Sequence, residues 1–252
     1  MKRSVLLVAG FALILFTPIS GFAQFPSSSG ENWSNHISSA LGGGMTPNKT
    51  FSGGSLREAS EKQRTKRPAV RRAARRPVAK ANLSGGFFRP IPNSGVDREL
   101  ANSLSQKPDE RQALLLIFRE VKKSYDAEAA KIGQANNVAG ALTFFIASCV
   151  TAFNDAPEPS ELATENLLAA INELAVATPA LSRASDREKQ LMNDRLIYVG
   201  GLILAGYLNG KQTNDADSTM QFRLLAGIAL QAALNLEPQK LRFDETGLVV
   251  DP

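Results

Sequence analysis

The chain has 252 residues, with 29 Lys and Arg against 24 Asp and Glu, a formal charge of +5, one His and one Cys. One Cys excludes an intramolecular disulfide framework, and a lone Cys and a lone His in different regions exclude a zinc site built on them. Hydrophobic residues make up 43% of the sequence, enough for a core where they are concentrated.

At the start of the chain, Lys2 and Arg3 precede an apolar run from Val5 to Phe16, and Pro18, Ser20 and Gly21 lead into Gly21-Phe22-Ala23 before Gln24. Charge, apolar core and small-residue exit in that order predict a signal peptide over residues 1–23 and an exported chain, periplasmic or extracellular after cleavage. The apolar run falls short of the roughly twenty residues of a spanning helix. No Cys follows the cleavage position to carry a lipid.

From Gln24 to residue 93, Ser, Gly, Asn, Pro, Lys and Arg dominate and no helical or strand period is sustained. Such a segment buries too little apolar surface to offset the entropy of ordering, which predicts a long disordered N-terminal arm. Charge divides the chain at nearly the same place. Residues 1–108 hold 16 Lys and Arg against 5 Asp and Glu (net +11), and residues 109–252 hold 13 against 19 (net −6). A cationic arm is joined to an acidic remainder.

The arm's charge peaks between residues 62 and 80, where nine Lys and Arg occur without an acid, interrupted by Pro68 and Pro77. In a helix Arg71 would face Arg75 and Arg72 would face Arg76, like-charge pairs that oppose folding until an anion neutralises them. Candidate anion-contacting residues are therefore Arg67, Arg71, Arg72, Arg75, Arg76 and Lys80. Their partners, if the arm is more than a solvated linker, would be anionic lipid, an envelope polymer or the acidic domain itself. Nucleic acid is disfavoured, because the arm has no interleaved aromatics for base stacking; Phe87 and Phe88 come later, beside Arg89.

Residues 94–252 read as a helical domain. Pro108, Asp109 and Glu110 suit a first turn, and Leu114, Ile117, Phe118, Val121 and Tyr125 recur at helical spacing to Ile132, where Gly133 stops the helix. A second helix starts at Asn136 or Asn137 and runs through Leu142, Phe145, Ile146, Cys149 and Phe153. Ser160 caps a third, with Leu162, Leu167, Leu168, Ile171 and Leu174 inward until Pro179. Ser185-Asp186-Arg187-Glu188 is a capping box for a fourth, which carries Gly200, Gly201 and Gly206 for close helix approach and stops at Asn209-Gly210. A fifth begins near Asp217 or Ser218 and carries Met220, Leu224, Leu225, Ile228, Leu230, Leu234 and Leu236 to Pro238, with Gly227 available for tight contact. Lys240 to Val250 forms a short extended tail. The predicted class is all-α, a five-helix antiparallel bundle-like domain after the arm.

"NNVAGALTFFIASCVTAFN" at 136–154 and "GIALQAALNLEPQKLRF" at 227–243 resemble an exported bacterial all-helical family of unknown function. The resemblance covers roughly residues 109–250. It implies the helical fold and transfers no site residues.

Catalytic chemistry has few residues to work with. The lone His36 lies in the arm, so no Ser-His-Asp or Cys-His arrangement is available to the helical domain. Cys149 sits among Phe145, Ile146 and Phe153 and reads as a buried small hydrophobe. Glu161 and Glu165 share a helix face but lack the Glu-x-x-His elements of a di-iron bundle. Asp215 and Asp217 resemble half a calcium loop without its later Gly and final Glu, and suit helix capping instead. No metal, cofactor or phosphate-cradling loop is expected. Residues 134–154 are uncharged, long enough to raise the question of a membrane hairpin, but a central core helix explains them better. The expected function is a non-enzymatic binding or scaffold protein with a cationic tether and a surface for another protein. A membrane-inserting hairpin and a carboxylate-only hydrolase are the alternatives.

Overall fold

Side-chain caps set where four of the described helices begin, and left-handed residues set where three end. A computed structural model describes residues 85–251. These form seven helices: α1 Val96–Leu104, α2 Pro108–Lys131, α3 Val138–Asn154, α4 Glu161–Ala177, α5 Pro179–Ser182, α6 Asp186–Thr213 and α7 Ala216–Leu234. A 3₁₀ turn at Pro238–Lys240 leads into an antiparallel hairpin, β1 Leu241–Asp244 and β2 Gly247–Val250. The structure is mostly helical, as the spacing predicts. It has two helices more than the five expected, α1 and the one-turn α5. α1, which lies before the first helix expected from the sequence, packs Val96, Leu100, Ala101 and Leu104 on the core.

The caps are those the residue types dictate. Asn137 accepts from the Ala139 amide (3.0 Å), Ser160 from Ala163 (3.1 Å) and Asp215 from Ser218 (3.0 Å), each occupying an amide that the first helical turn leaves unpaired. The Ser185–Glu188 capping box is complete, with the carboxylate accepting from the Ser185 amide at 2.8 Å and the hydroxyl accepting from the Glu188 amide at 3.3 Å. Asp155, Asn214 and Asn235 close α3, α6 and α7 in the left-handed conformation, with φ between 52° and 56°.

Two predicted boundaries move. α6 continues past Asn209-Gly210 to Thr213, because Gly210 serves as a contact and not as a stop: a Cβ there would lie 2.6 Å from Thr219 Oγ1 and 2.8 Å from its backbone nitrogen. α7 starts at Ala216, one or two residues early, with Asp215, one of the two aspartates suited to capping, as its cap.

The core sits where α3, α6 and α7 meet. Thirteen of the seventeen residues of α3 are buried, including Phe145, Ile146 and Cys149, because neighbours cover it on nearly every side. No described helix is long and apolar enough to cross a membrane. Glycines let α6 approach its neighbours, as expected: a Cβ on Gly200 would sit 3.0 Å from the Phe145 Cα, and one on Gly201 or Gly206 would overlap Val121 or Phe222. Each large side chain removed from water there contributes about 1.5–3 kcal/mol.

Leu162, expected to face inward, does not, and three apolar side chains of α7 are exposed as well. Leu162, Met220, Leu224 and Ile228 are 56%, 53%, 59% and 51% exposed. On α7 the core takes the other apolar stripe, Phe222, Leu225, Ala226, Ala229 and Leu230, whose neighbours approach closely enough to exclude water. The extended tail is a paired hairpin whose Leu241 is fully buried and whose Phe243 and Leu248 pack against the core.

Residues 85–92, placed in the arm by composition, are docked on the helices. The Phe88 amide donates to the Asn136 carbonyl and the Val138 amide to the Gly86 carbonyl, both at 3.1 Å. Phe88 is buried with Val138, Ala175 and Leu181 in a second apolar cluster. A single aromatic in a polar sequence gives no period, so only the tertiary structure reveals it.

Candidate functional site

Three places bring polar or exposed apolar groups together. The first is a polar seam along the first half of α6, where Lys189, Gln190, Asn193 and Asp194 are all buried. Burial of polar groups is costly without partners. Gln190 accepts from the Ile91 amide at 2.6 Å and donates to its carbonyl at 3.0 Å, while Lys189 donates to the Phe87 carbonyl at 3.5 Å. Asn193 donates to Asp194 at 3.2 Å, and Lys122 of α2 lies 4.0 Å from Asp194 and 2.6 Å from Asp126. The Asn193 side-chain oxygen and the Tyr125 hydroxyl are buried without a hydrogen bond. Burial, then the charges of Asp194, Asp97 and Asp126, push the Tyr198 hydroxyl far above its usual range. The seam fastens residues 87–91 to the helices.

The second is a hub at the C-terminus of α3. The Asp155 carboxylate accepts a short hydrogen bond from the Tyr207 hydroxyl and one from Lys211 at 2.9 Å, and Arg223 lies 4.0 Å away. Arg223 also donates to the Phe153 carbonyl at 3.2 Å, which places a cation at the negative end of the α3 dipole. The bonds from Tyr207 and Lys211 hold the Asp155 pKa below the usual carboxylate value. Burial and the bond to Asp155 push Tyr207 up to about 12. Asp155 stays ionised and Tyr207 stays protonated at neutral pH, so the carboxylate, with Tyr207, Lys211 and Arg223, ties α3 to α6 and α7.

The third is a surface. Met220, Leu224 and Ile228 recur every four residues along the exposed side of α7. Beside them a groove of about 510 Å³ is lined by Phe153, Leu224, Gly227, Ile228, Glu237 and Pro238, among others. Gly227 forms part of its floor, against Phe153: a Cβ there would lie 2.7 Å from the ring.

Arg67, Arg71, Arg72, Arg75, Arg76 and Lys80, the candidate anion contacts, lie outside the described residues, as do His36 and residues 1–23. Cys149 is completely buried, and burial drives its thiol pKa far upward. Glu161 and Glu165 are both exposed on α4. Asp215 and Asp217 sit at the start of α7, the first as its cap. No group of three or more His, Cys, Asp or Glu able to hold a metal occurs among the described residues. The carboxylates whose pKa moves, Glu110, Asp155, Glu188 and Asp244, all move downward, away from what a general acid needs.

The sequence matches DUF6683, a family of unknown function, over residues 1–251. The chain belongs to this family. The DUF6683 match extends through the arm as well as the helices, a wider span than the residues 109–250 on which the resemblance rests. No curated protein and no solved structure matches the chain.

The hub and the α7 surface were not readable in the sequence. Tyr207 and Lys211 are four apart on α6, but nothing local points them at Asp155. The four-residue step of Met220, Leu224 and Ile228 is visible, yet a helix with apolar residues on two sides does not announce which side is covered.

Proposed function

We propose that this protein acts by binding and scaffolding and not by catalysis. In this reading an exported, antiparallel bundle-like helical domain engages a partner protein through α7. The basic residues Arg67 to Lys80 tether it reversibly to anionic lipid or envelope polymer. The supporting observation is the exposed line of Met220, Leu224 and Ile228 beside a groove that mixes apolar residues with Gln231, Glu237 and Gln239. Contiguous apolar surface on a soluble face marks an interaction site.

Glu237 lines the groove, and Arg223 donates to the carbonyl of Phe153, another lining residue. The occupant that fits is an amphipathic helix of another protein, apolar at four-residue steps, acidic where it meets Arg223 and basic where it meets Glu237. Each basic residue near an anionic membrane contributes about 1 kcal/mol, so the arm gives attraction that fades with salt.

Both parts are tested in the full chain. Replacing Arg71, Arg72, Arg75 and Arg76 by Gln leaves the docked residues 85–92 intact, whereas truncation at residue 94 would remove Phe88 from its cluster. Co-sedimentation with phosphatidylglycerol vesicles at low salt is expected to fall at least tenfold in this variant; equal binding by both chains overturns the tether. A photo-crosslinker at Gln231 identifies the α7 partner, which is then purified and titrated. Leu224→Glu with Ile228→Glu is expected to weaken that complex at least tenfold, and undiminished affinity overturns the α7 surface.

A further inference from the structure

We infer that the outer face of α4 is the docking surface for this chain's own basic segment, residues 66–80. The inference deepens the tether reading by naming what the arm contacts when no anionic surface is present.

The first observation is where the chain enters the structure. Gly85 lies against the C-terminal turn of α4, so close that a Cβ on it would be 3.1 Å from the Ala175 carbonyl oxygen and 3.2 Å from the Val176 Cα. Residues just before Gly85 therefore begin at α4. An extended chain covers about 3.3 Å per residue, so Lys80 is within about 17 Å of that turn and Arg71 within about 46 Å. α4 has seventeen residues, about 25 Å of helix. The whole basic segment is within reach of the whole helix.

The second is charge. From residue 132 to residue 182 there is no Lys, Arg or His, while Asp155, Glu158, Glu161, Glu165 and Glu173 are present. Glu161, Glu165 and Glu173 are exposed on α4, and among the described residues none of them makes an ion pair. On α2, by contrast, Glu120, Asp126 and Glu128 are matched by Lys123, Lys122 and Lys131. Asn166 donates to the Thr246 carbonyl at 2.9 Å, which holds the hairpin turn with Asp244 and Glu245 against the middle of the same helix. The cation of that hairpin, Arg242, is engaged by Asp251 at 3.1 Å.

The third is the apolar component. Leu162 and Val176 stand exposed near the two ends of α4, 56% and 42% accessible. They are fourteen residues apart on the helix, about 21 Å. The basic segment carries Val70 and Val78, eight residues apart, about 26 Å when extended. A chain leaving Gly85 and running toward the start of α4 meets these groups in the order Val78 then Val70, with the arginines between them facing the glutamates. Pro68, Pro77 and the like-charged arginine pairs favour the extended form that such a contact requires. The C-terminal end of the α4 dipole adds attraction for Lys80.

The test uses the full chain and a Glu161→Gln, Glu165→Gln, Glu173→Gln variant. Zero-length carbodiimide coupling at low salt, mapped by mass spectrometry, is expected to join Lys66 or Lys80 to α4 glutamates in the monomer, and to vanish at high salt. The variant is expected to bind phosphatidylglycerol vesicles about fivefold more tightly at low salt, because its arm is no longer held. If no arm-to-α4 product forms and both chains bind vesicles equally, the docking surface is overturned while the tether stands. If the coupled product forms but vesicles bind neither chain, the tether fails and the docking surface stands. Coupling found only in covalent dimers overturns docking within one chain.

Discussion

Gln190, in the second turn of α6, holds both backbone groups of Ile91, accepting from its amide at 2.6 Å and donating to its carbonyl at 3.0 Å. This side chain does for residues 87–91 what a neighbouring strand would do, at a point where the α6 surface offers no free backbone. Leu in place of Gln190 keeps the volume and deletes both bonds, leaving two backbone groups without partners, at a cost of about 1–3 kcal/mol. The loss falls on the docked segment more than on the core. Gln190→Leu is expected to raise hydrogen exchange at Phe88 and Ile91 while exchange at Ile203 and Leu230 stays slow. Uniform acceleration across the chain would show that the segment and the core open together.

The helical class, the starts of α2, α3, α4 and α6, and the use of glycine along α6 were all legible in the sequence, because caps and helical periods are local. What sequence could not supply is direction. Leu224 and Leu225 are adjacent and chemically identical, yet one is 59% exposed and the other 6%. The difference is set by where α3 and α6 lie, not by either residue. Gly210 followed Asn209 as a stop should, but its lack of a side chain answers to Thr219 of the next helix. Phe88 lay in a polar stretch and became core because Val138 and Leu181 were waiting for it.

The close approach of α6 and α7 rests on Gly206, where any Cβ would overlap the Phe222 ring. Phe222 is buried, so it has no solvent-facing alternative. Helix propensity alone would make Gly206→Ala stabilising by about 1 kcal/mol. Overpacking opposes this with about 1–3 kcal/mol and prevails where the obstacle is a packed ring. Gly206→Ala is expected to lower stability in denaturant titration, and Gly206→Ala with Phe222→Leu to recover part of the loss. A stabilised single variant would mean that the two helices separate freely.

The lone thiol tests the core from inside. Cys149 is 0% exposed, and burial disfavours its thiolate. The thiolate is the reactive species. A thiol reagent is expected to leave the folded protein unmodified at pH 8 and to titrate one group per chain in denaturant. Rapid labelling of the native protein would place α3 at the surface.

The Asp155–Tyr207 pair makes stability depend on pH in two windows of opposite sign. Asp155 has a lowered pKa in the folded state, so its contribution is present above the unfolded value near 4 and is lost as pH falls through the folded value. Tyr207 is raised to about 12 from 10.0, so its contribution is complete below pH 10 and disappears as pH rises toward 12. That second step is on the order of 2 kcal/mol. Tyr125 and Tyr198 are raised as well, chiefly by burial, and add their own alkaline losses, so the comparison must be made between chains. Tyr207→Phe removes the hydroxyl from Asp155 without changing the ring. It is expected to lower the unfolding midpoint at pH 7 and to show a shallower decline between pH 10 and 12 than the parent. The acid limb should also move toward neutral pH, because only Lys211 and the more distant Arg223 then hold the Asp155 carboxylate ionised. Superimposable pH profiles for the two chains would remove the hub from any part in joining α3, α6 and α7.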